Sequence, residues 1–490
     1  MTSTAAVPAP TGSTSSPGRT STATTAGPRS TGPHGTGRLR LSQLVGYGAG
    51  DAANNLAFSM TSMFLLLYYT DVVGISAAAA GTLFLVVRVW DAFADVFAGR
   101  QIDRTMTRWG KFRPFILFGS LPLLLLSMAT FTVPGGLGGT GRLVYAYLTY
   151  AALGLAYSLV NIPYGSLASA MTQVPNERAK LASFRMAGTA LTIIMLSFVV
   201  APQIKNAANL QQSLTLTTGL FVVLGFGLYL LVFRTAKENV VRDVAHVSLK
   251  QSLGTLKGNR PLLMLCLSAV AFLTGMFTLQ TLQAYYARDV LGDANYFIIL
   301  TVVSTGLMIA VAPVVPRLAR TLGKKWSYVA AGAVAVVAAI GIALTPPSAP
   351  GLAIGFFALY GVGLAAVNTL MFALEADTVE YGEWRSGVRT EGTTYAMFSF
   401  TRKVGQAVGG AAAAYGLGVA GYVAKSHQQA PATLDGIRHL AGFVPAVFIA
   451  LGVLVMVFYP LTEKLHARMV SDVAERRLAR EAAATVIEGA

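Results

Sequence analysis

Long runs of apolar residues, separated by short polar stretches, cover the chain from about residue 42 to about residue 460. Two of them, 114–133 and 214–233, are each near the ~20 residues that an α-helix needs to cross the hydrocarbon core of a bilayer. A membrane β-barrel would instead show short segments of alternating polarity. The pattern therefore predicts an all-α membrane protein with twelve spanning helices. Their predicted bounds, to within several residues, are 42–70, 77–100, 113–133, 142–170, 183–204, 214–234, 261–288, 296–316, 326–345, 351–376, 392–424 and 437–460.

The composition excludes an ordinary soluble enzyme of this length. Of the 490 residues, 54% are hydrophobic and only 12% are charged. The single cysteine, Cys266, lies inside a predicted span, so the fold has no intrachain disulfide. The net charge of +16 does not indicate a nucleic-acid partner, because the basic residues lie in short loops between apolar runs.

Basic residues between the spans predict the orientation in the membrane. The loops after the second and the eighth span are rich in Arg and Lys, as is the segment that joins the sixth and seventh spans. The positive-inside rule places all three in the cytoplasm, and with them both termini of a multi-pass protein of the cell (inner) membrane. The basic residues of the first two loops are Arg100, Arg104, Arg108, Lys111 and Arg113, and Arg317, Arg320, Lys324 and Lys325.

The same pattern divides the chain into five predicted parts. The first 40 residues are rich in Ser, Thr, Gly, Pro and Ala and contain no acidic residue, which favours a disordered tail over an organelle transit peptide. The predicted parts are a cytoplasmic tail at 1–40, a six-helix half at 41–235, a cytoplasmic loop at 236–260, a second six-helix half at 261–461 and a cytoplasmic tail at 462–490.

A weak internal repeat supports the two halves. A Gly-Lys step follows the second span at Gly110 and the eighth span at Gly323, which are equivalent places in the two halves. Transporters built from parallel repeats bind their cargo between the repeats, near the middle of the bilayer.

Ionisable side chains inside the spans indicate function, since burying each one costs on the order of 3 kcal/mol. The second span contains Arg88, Asp91 and Asp95, and the two aspartates share one helix face because they are four residues apart. Two close carboxylates in a low dielectric do not both stay ionised, so the pair should hold a proton, as a coupling site requires. The alternative is that Arg88 and Lys403 neutralise these acids as packed ion pairs.

Polar side chains in the first four spans favour a polyol ligand. Asp51 can accept several hydroxyl hydrogen bonds, although an acid at a helix end near the headgroups is the alternative. Tyr157, Ser158 and Asn161 bring hydroxyl and amide groups within two turns of the fourth span. Trp90 and Tyr157 can stack on a sugar face, although aromatic residues in spans more often pack or face lipid.

Cations inside the spans favour an anionic sugar. The fifth span contains Arg185, and the eleventh contains Arg402 and Lys403. A guanidinium grips a carboxylate through two parallel hydrogen bonds, although an ion pair that locks the bundle is an equal alternative for each residue. The four cations of the first half and the eleventh span exceed the three acids by one. They are Arg88, Arg185, Arg402 and Lys403, against Asp51, Asp91 and Asp95.

Features of other function classes are absent from the sequence. It contains no Gly-Lys-Ser/Thr phosphate-binding loop, so ATP does not drive transport from this chain. All five histidines lie in predicted tails, loops or span ends, and no nucleophile–base pair stands out, so we expect no enzyme, catalytic residue, metal site or cofactor. A membrane sugar sensor without transport is the alternative from another class, but the tail after residue 460 is too short for a soluble signalling domain.

Four spaced motifs resemble the glycoside-pentoside-hexuronide:cation symporters of the major facilitator superfamily. They read YTDVVG from Tyr69, RVWDA from Arg88, RWGKFRP from Arg108 and DTVEYGE from Asp377. The resemblance extends over about residues 41–461 and implies the major facilitator fold and cation-coupled sugar transport. Within the family, the runs DAFADVFAGR, SLVNIPYGSLA and FTRK are most similar to the bacterial glucuronide carrier.

Similarity to the melibiose carriers of this family implies roles for single residues. The matches are Asp51 and Arg185 at sugar-binding positions, Tyr157 beside the sugar, Asp91, Asp95 and Ser158 at the cation site, and Lys403 between the two sites. Because its match already touches sugar, Arg185 is the predicted grip on a substrate carboxylate. Trp90 and Asn161 complete the predicted substrate site, and Arg88 and Arg402 are assigned to gating or an ion-pair network.

Departures from the melibiose carriers refine the expected cargo and coupling ion. Ala94 replaces a cation-site Asn, which weakens a sodium cage but not a protonatable carboxylate pair. Asn161 replaces a sugar-binding Asp, which removes repulsion toward an anionic sugar. We therefore expect proton-coupled symport of a glycoside, with a glucuronide as the first candidate. The alternatives are sodium coupling, a neutral glycoside or pentoside, and more distantly a lysolipid.

Overall fold

Twelve α-helices of 16 residues or more form the described part of this computed structural model. The structure describes residues 38–476, apart from 173, 239–257, 388–390, 427, 464, 470 and 474. No β-strand occurs in these ranges, so the all-α prediction is confirmed. The helices are α1 (Leu41–Leu67), α2 (Ala77–Arg104), α3 (Arg113–Thr130), α4 (Gly139–Met171), α5 (Pro175–Asn206), α6 (Leu210–Thr235), α7 (Arg260–Tyr285), α8 (Tyr296–Val311), α9 (Val315–Leu344), α10 (Pro350–Ser386), α11 (Glu391–Val419) and α12 (Pro431–Val457).

Ten of these helices are long and apolar enough to cross a membrane. α8 is shorter by this measure, and α11 is not among the ten, so length and hydropathy support ten of the twelve predicted spans. Apolar side chains are exposed on the outer surface, where lipid would contact them. On α6, Leu216, Leu220 and Val223 are 67%, 62% and 72% exposed. Their spacing forms one stripe along the helix. The chain is therefore a multi-pass membrane protein.

Several helices extend beyond the apolar runs that predict them. α5 begins at Pro175 rather than near residue 183, because Pro in the first turn and Glu177 beside it favour a helix N-terminus. α10 continues to Ser386, so the polar DTVEYGE motif is helical rather than a loop. The basic stretch 317–325 lies within α9, where Gly323, with φ of 78°, interrupts the helix.

The helices pack in two groups that follow chain order. In the N-terminal group, α1 packs on α5 and α6, α3 on α4 and α6, and α2 on α4. In the C-terminal group, α7 packs on α11 and α12, α9 on α10 and α12, and α8 on α10. The two groups, hereafter the two halves, meet where α2 contacts α11, α5 contacts α8 and α1 contacts α7.

Matching turns at equivalent places strengthen the internal repeat. α1 ends in the π-helical turn Tyr68–Val73, and α7 ends in the π-helical turn Tyr286–Val290. Each turn is followed within two residues by a left-handed glycine, Gly74 with φ of 83° and Gly292 with φ of 78°. Both turns lie at the end of the bundle opposite the basic loops; we call the end that carries those loops the basic end.

A glutamate holds each Gly-Lys step at the basic end. Glu238, which follows α6, accepts hydrogen bonds from the backbone N–H groups of residues 111–113 at 2.8 to 3.0 Å. Glu463, which follows α12, accepts one from the N–H of Lys324 at 2.8 Å. The repeat predicted from the two Gly-Lys steps thus extends to a glutamate after the last helix of each half.

Parts of three predicted segments lie outside the described residues. These are most of the N-terminal tail (1–40), most of the central loop (236–260) and the end of the C-terminal tail (462–490). Their boundaries stay predictions.

Candidate functional site

Glycines bring α1 and α5 into close contact and so position the first buried charges. A Cβ added to Gly48 would lie 2.7 Å from the carbonyl oxygen of Phe184, and one added to Gly188 would collide with the carbonyl oxygen of Gly48. The two backbones therefore approach as closely as small residues allow. This crossing places Asp51 of α1 beside Arg185 of α5.

Asp51 is buried and has a partner on each carboxylate oxygen. The Nε and Nη2 atoms of Arg185 donate to its Oδ1 at 3.1 and 2.9 Å. The hydroxyl of Thr189 donates to Oδ2, and the amide of Asn55 donates to Thr189 at 3.0 Å. The guanidinium also lies 5.1 Å from the ring centre of Tyr164. A buried acid with this network is not a helix-end acid that faces the headgroups.

Asp91 has one paired and one unpaired carboxylate oxygen. Nη1 of Arg88, one turn earlier on α2, lies 3.1 Å from its Oδ2. Its Oδ1 is buried and accepts no hydrogen bond from the described residues. That oxygen points at Gly154 of α4, where any Cβ would collide with it. An ionised carboxylate pays a desolvation cost for such an oxygen, and a proton on the group would reduce that cost.

Asp95 connects the two halves. It accepts a hydrogen bond from the hydroxyl of Ser158 on α4 at 2.6 Å and forms an ion pair with Lys403 on α11. Ala94 beside it is buried and offers no side-chain oxygen. Asp91, Asp95, Ser158 and Lys403, which the family resemblance assigns to the cation site or its neighbourhood, therefore lie in one charged cluster on α2, α4 and α11.

Tyr157 lies between the Asp51 pair and this cluster. Its ring stacks on Phe58 with 5.7 Å between the centres. Its hydroxyl interacts electrostatically with Asp51, Arg185 and Asp95, which places it within reach of both groups of charges. Tyr157, which the sequence analysis assigned to the sugar site, is therefore also close to the charges of the predicted coupling site.

The two remaining predicted substrate residues are Asn161 and Trp90. Asn161 is half-buried on α4, one turn beyond Tyr157. Trp90 is 45% exposed, and its Nε1 donates to the carbonyl oxygen of Ala151 at 3.0 Å, which ties α2 to α4. The structure therefore gives Trp90 a packing contact, and its stacking on sugar stays a prediction.

Arg402 of α11 differs from the other three cations. It makes no ion pair with the described residues, and its Nη1 is buried without a hydrogen-bond partner. Its guanidinium lies 5.0 Å from the ring centre of Phe372 on α10. Glu375, one turn further along α10, is buried and interacts with Arg402 electrostatically. Glu375 lies within the predicted span 351–376, so its charge was the available signal, but the sequence analysis did not single it out.

A second group of charges closes the contact between the halves at the end opposite the basic loops. Arg288 of α7's π-helical turn pairs with Asp71 of α1's π-helical turn and, at 2.8 Å, with Asp289. The hydroxyl of Tyr422 donates to Asp71 at 2.7 Å. We call these four residues the Arg288 cluster. The sequence analysis did not single out Arg288, because tertiary partners are not visible in hydropathy.

An exposed ion pair lies beside the Arg288 cluster. Lys205, at the end of α5, contacts Asp293 at 2.6 Å. The ammonium of Lys205 and the N–H of Asn295 hold the pKa of Asp293 below its ordinary value. Both residues are substantially exposed, so we expect this pair to add little stability.

Charged residues at the basic end form an ion-pair network. Asp377, Glu380 and His466 have ligand atoms within 4.8 Å of one another, a spacing that could hold a metal ion. However, the ammonium of Lys324 already contacts both oxygens of Asp377, at 2.7 and 2.8 Å. This arrangement supports a link between α9 and α10 rather than a metal centre.

A cavity between the halves lies next to the buried charges. It offers about 390 Å³ of empty space, part of it open to solvent. Arg88 and Tyr150 line it from the N-terminal half, and Phe277 and Gln406 line it from the C-terminal half. Both halves therefore line this cavity, as in transporters that bind their cargo between two repeats.

Two repeated groups of helices, with buried charges and a cavity between them, define a membrane transporter. Residues 46–463 match the model of the MFS/sugar transport protein family. The chain belongs to this family, the sugar symporters of the major facilitator superfamily, and it is not an enzyme. The family resemblance found in the sequence motifs is confirmed.

Curated relatives and solved structures agree with this assignment. The chain is 45% identical to the glucuronide carrier protein homolog of Escherichia coli strain K12, over 90% of this chain and 97% of that protein. It is 32% identical to the isoprimeverose transporter of Lactiplantibacillus pentosus, over 90% of this chain and 93% of that protein. The crystal structure of the nucleoside transporter NupG matches with a TM-score of 0.61 and 14% identity, over 85% of this chain and 98% of that chain, which shows the fold.

Proposed function

We propose that this protein carries a hexuronide, with a glucuronide as the first candidate, into the cell together with protons. The observation that carries the proposal is the ion pair of Asp95 with Lys403, which joins the two halves one turn from the buried Asp91. The similarity to a glucuronide carrier protein homolog supports the choice of cargo. The positive-inside rule supports a cytoplasmic basic end and cytoplasmic termini in the cell membrane.

Protonation of Asp95 provides the coupling step. A proton on this carboxylate removes the charge that attracts Lys403 and so weakens the contact between α2 and α11. The unpaired oxygen of Asp91, one turn away, gives the same proton a second position. Movement of the halves then depends on whether the pair holds a proton.

The site suits protons better than sodium because it offers few free oxygen ligands. Hard metal cations bind in cages of several oxygens. Ala94 offers none, Ser158 already donates to one oxygen of Asp95, and Lys403 holds the other. A sodium ion would have to displace the ammonium of Lys403, whereas a proton needs only one lone pair of a carboxylate oxygen.

Sugar hydroxyls find hydrogen-bond partners in the N-terminal half. Asp51 with Arg185 offers acceptors and donors, and Tyr157 and Asn161 extend the polar surface along α4. The position of Tyr157 between these residues and Asp95 supports communication between cargo and proton.

Alternating access explains the Arg288 cluster. The hydrogen bonds and ion pairs that join the halves in the described residues lie toward the end opposite the basic loops, apart from the contact of Asp95 with Lys403. If the basic end is cytoplasmic, the cluster closes the path to the outside. The cavity then receives or releases its cargo on the cytoplasmic side.

Replacement of the coupling carboxylate tests this function. In membrane vesicles, Asp95→Asn should abolish accumulation of labelled glucuronide against a gradient but retain exchange of labelled for unlabelled solute. Arg320→Gln, at an exposed arginine of the basic end, keeps both carboxylates and should retain accumulation. Equal loss of accumulation and exchange in Asp95→Asn would show that Asp95 has a structural role. Strong stimulation of uptake by sodium at fixed pH would show that sodium, rather than a proton, is the coupling ion.

A neutral glycoside is the second candidate cargo. Asp51 neutralises Arg185, so this pair alone does not require an anion, and a similar relative is an isoprimeverose transporter. Competition of labelled glucuronide uptake by unlabelled neutral glucosides and pentosides separates the two candidates. Preferred uptake of the neutral solute would remove the hexuronide assignment.

A further inference from the structure

Ion pairing leaves one cation of the transport path without an acid. Burying an unpaired cation costs more than burying a paired one, so such a residue needs a partner at some stage of its work. Among the residues that the structure describes, Arg185 pairs with Asp51, Arg88 with Asp91 and Lys403 with Asp95, whereas Arg402 pairs with no acid.

We propose that Arg402 holds the carboxylate of the cargo and sets the preference for hexuronides over neutral glycosides; this inference rests on the proposed function. Its Nη1 is buried and has no hydrogen-bond partner. A planar guanidinium with a free donor matches a carboxylate, because two parallel N–H···O bonds form without rearrangement. Phe372 stacks against the guanidinium at 5.0 Å and restricts its orientation.

The position of Arg402 fits a ligand that spans the two halves. It precedes Lys403 on α11, and it lies close enough to Arg185 of α5 for the two charges to repel each other. Because Asp51 neutralises the charge of Arg185, the remaining unpaired positive charge is that of Arg402 in the C-terminal half. A hexuronide with its hydroxyls at Asp51 and its carboxylate at Arg402 therefore joins the halves, which a neutral glycoside does not do.

Glu375 serves as the counter-charge of Arg402 when the site is empty. It is buried on α10 and interacts with Arg402 electrostatically, but it forms no ion pair with the described residues. The cargo carboxylate therefore competes with Glu375 for one guanidinium. Removing the charge of Glu375 should make binding of a hexuronide tighter.

Paired substrates that differ in one carboxylate test this role. Binding of p-nitrophenyl β-D-glucuronide and p-nitrophenyl β-D-glucoside to the purified full-length protein is measured by calorimetry. Arg402→Gln should weaken glucuronide binding about 10- to 100-fold, the loss expected for a charge-assisted hydrogen bond, and leave glucoside binding unchanged. Arg402→Lys should fall between, and Glu375→Gln should strengthen glucuronide binding. Arg320→Gln, an exposed arginine of the basic end, is the matched control and should change neither.

Each contrary outcome has a separate meaning. Equal weakening of both solutes by Arg402→Gln would overturn the inference and give Arg402 a packing role. Unchanged glucuronide binding in Arg402→Gln, with loss in Arg185→Gln, would make Arg185 the carboxylate ligand. A wild-type protein that binds the glucoside as well as the glucuronide would overturn the proposed cargo itself, and this inference with it.

Discussion

Asp91 directs one carboxylate oxygen into a space that exists because residue 154 of α4 is a glycine. The neighbouring aspartate, Asp95, instead has partners on both oxygens. The two acids of the predicted coupling pair therefore differ in environment. A single added methyl group tests whether this space matters.

Gly154→Ala should reduce proton-driven accumulation by at least tenfold, because the new Cβ displaces Asp91 from its place between Arg88 and α4. Gly165→Ala is the matched control on the same helix, since a Cβ there meets nothing within 4 Å. Accumulation in vesicles and protein content of the membrane are measured together. Normal accumulation in Gly154→Ala would show that the position of Asp91 is not critical.

Sequence reasoning at the residue scale identified charges more reliably than their partners. Asp51, Asp91, Asp95 and Lys403 were found because an ionisable group in an apolar run is conspicuous. For Arg185 the sequence left a carboxylate ligand and an ion pair that locks the bundle as equal alternatives, and in the structure Arg185 pairs with Asp51. That pairing depends on how closely α1 and α5 cross, which the spacing of charges along one chain does not encode.

At the scale of elements, the two π-helical turns together form one contact between the halves. Each extends a first helix of its half, and together they bring Asp71 and Arg288 into contact across the halves. Tyr422, after α11, adds a hydroxyl to the same carboxylate. A buried pair that loses one partner is strongly destabilised, so this contact should control how readily the end opposite the basic loops opens.

Arg288→Gln should therefore open that end more often. In a Cys266→Ser background, a cysteine at the cavity residue Thr61 should react several-fold faster with a membrane-impermeant thiol reagent added outside intact cells. Lys205→Gln, which breaks the neighbouring exposed pair, should change the rate little. Unchanged labelling in Arg288→Gln would remove the gating role, and faster labelling only from the cytoplasmic side would invert the proposed orientation.

Element bounds were predicted well where polarity changes sharply and poorly where it does not. The apolar run of α6 was placed closely, whereas α10 continues ten residues past its predicted end through the polar motif that starts at Asp377. Hydropathy reports the lipid-facing part of a helix and not its extension beyond the bilayer core. The same limit hid the glutamates that hold the two Gly-Lys steps, Glu238 and Glu463.

At the scale of the whole molecule, a repeat, a charged cluster and a cavity act together in the proposed mechanism. The repeat predicts two halves that move as units, and the ion pair of Asp95 with Lys403 is the contact between them that a proton can break. Cargo bound to both Asp51 and Arg402 would draw the halves together. In the proposed mechanism the cargo draws the halves together and the proton breaks the contact of Asp95 with Lys403, so transport is expected to require both.

Uptake into proteoliposomes measures the cargo and the coupling ion in one experiment. Purified protein is reconstituted in sodium-free buffer, and uptake of labelled p-nitrophenyl glucuronide is followed after an inward proton gradient is imposed. We expect transient accumulation above the external concentration, abolished by a protonophore and unaffected by an added inward sodium gradient. Accumulation that requires the sodium gradient and persists with the protonophore would contradict the account.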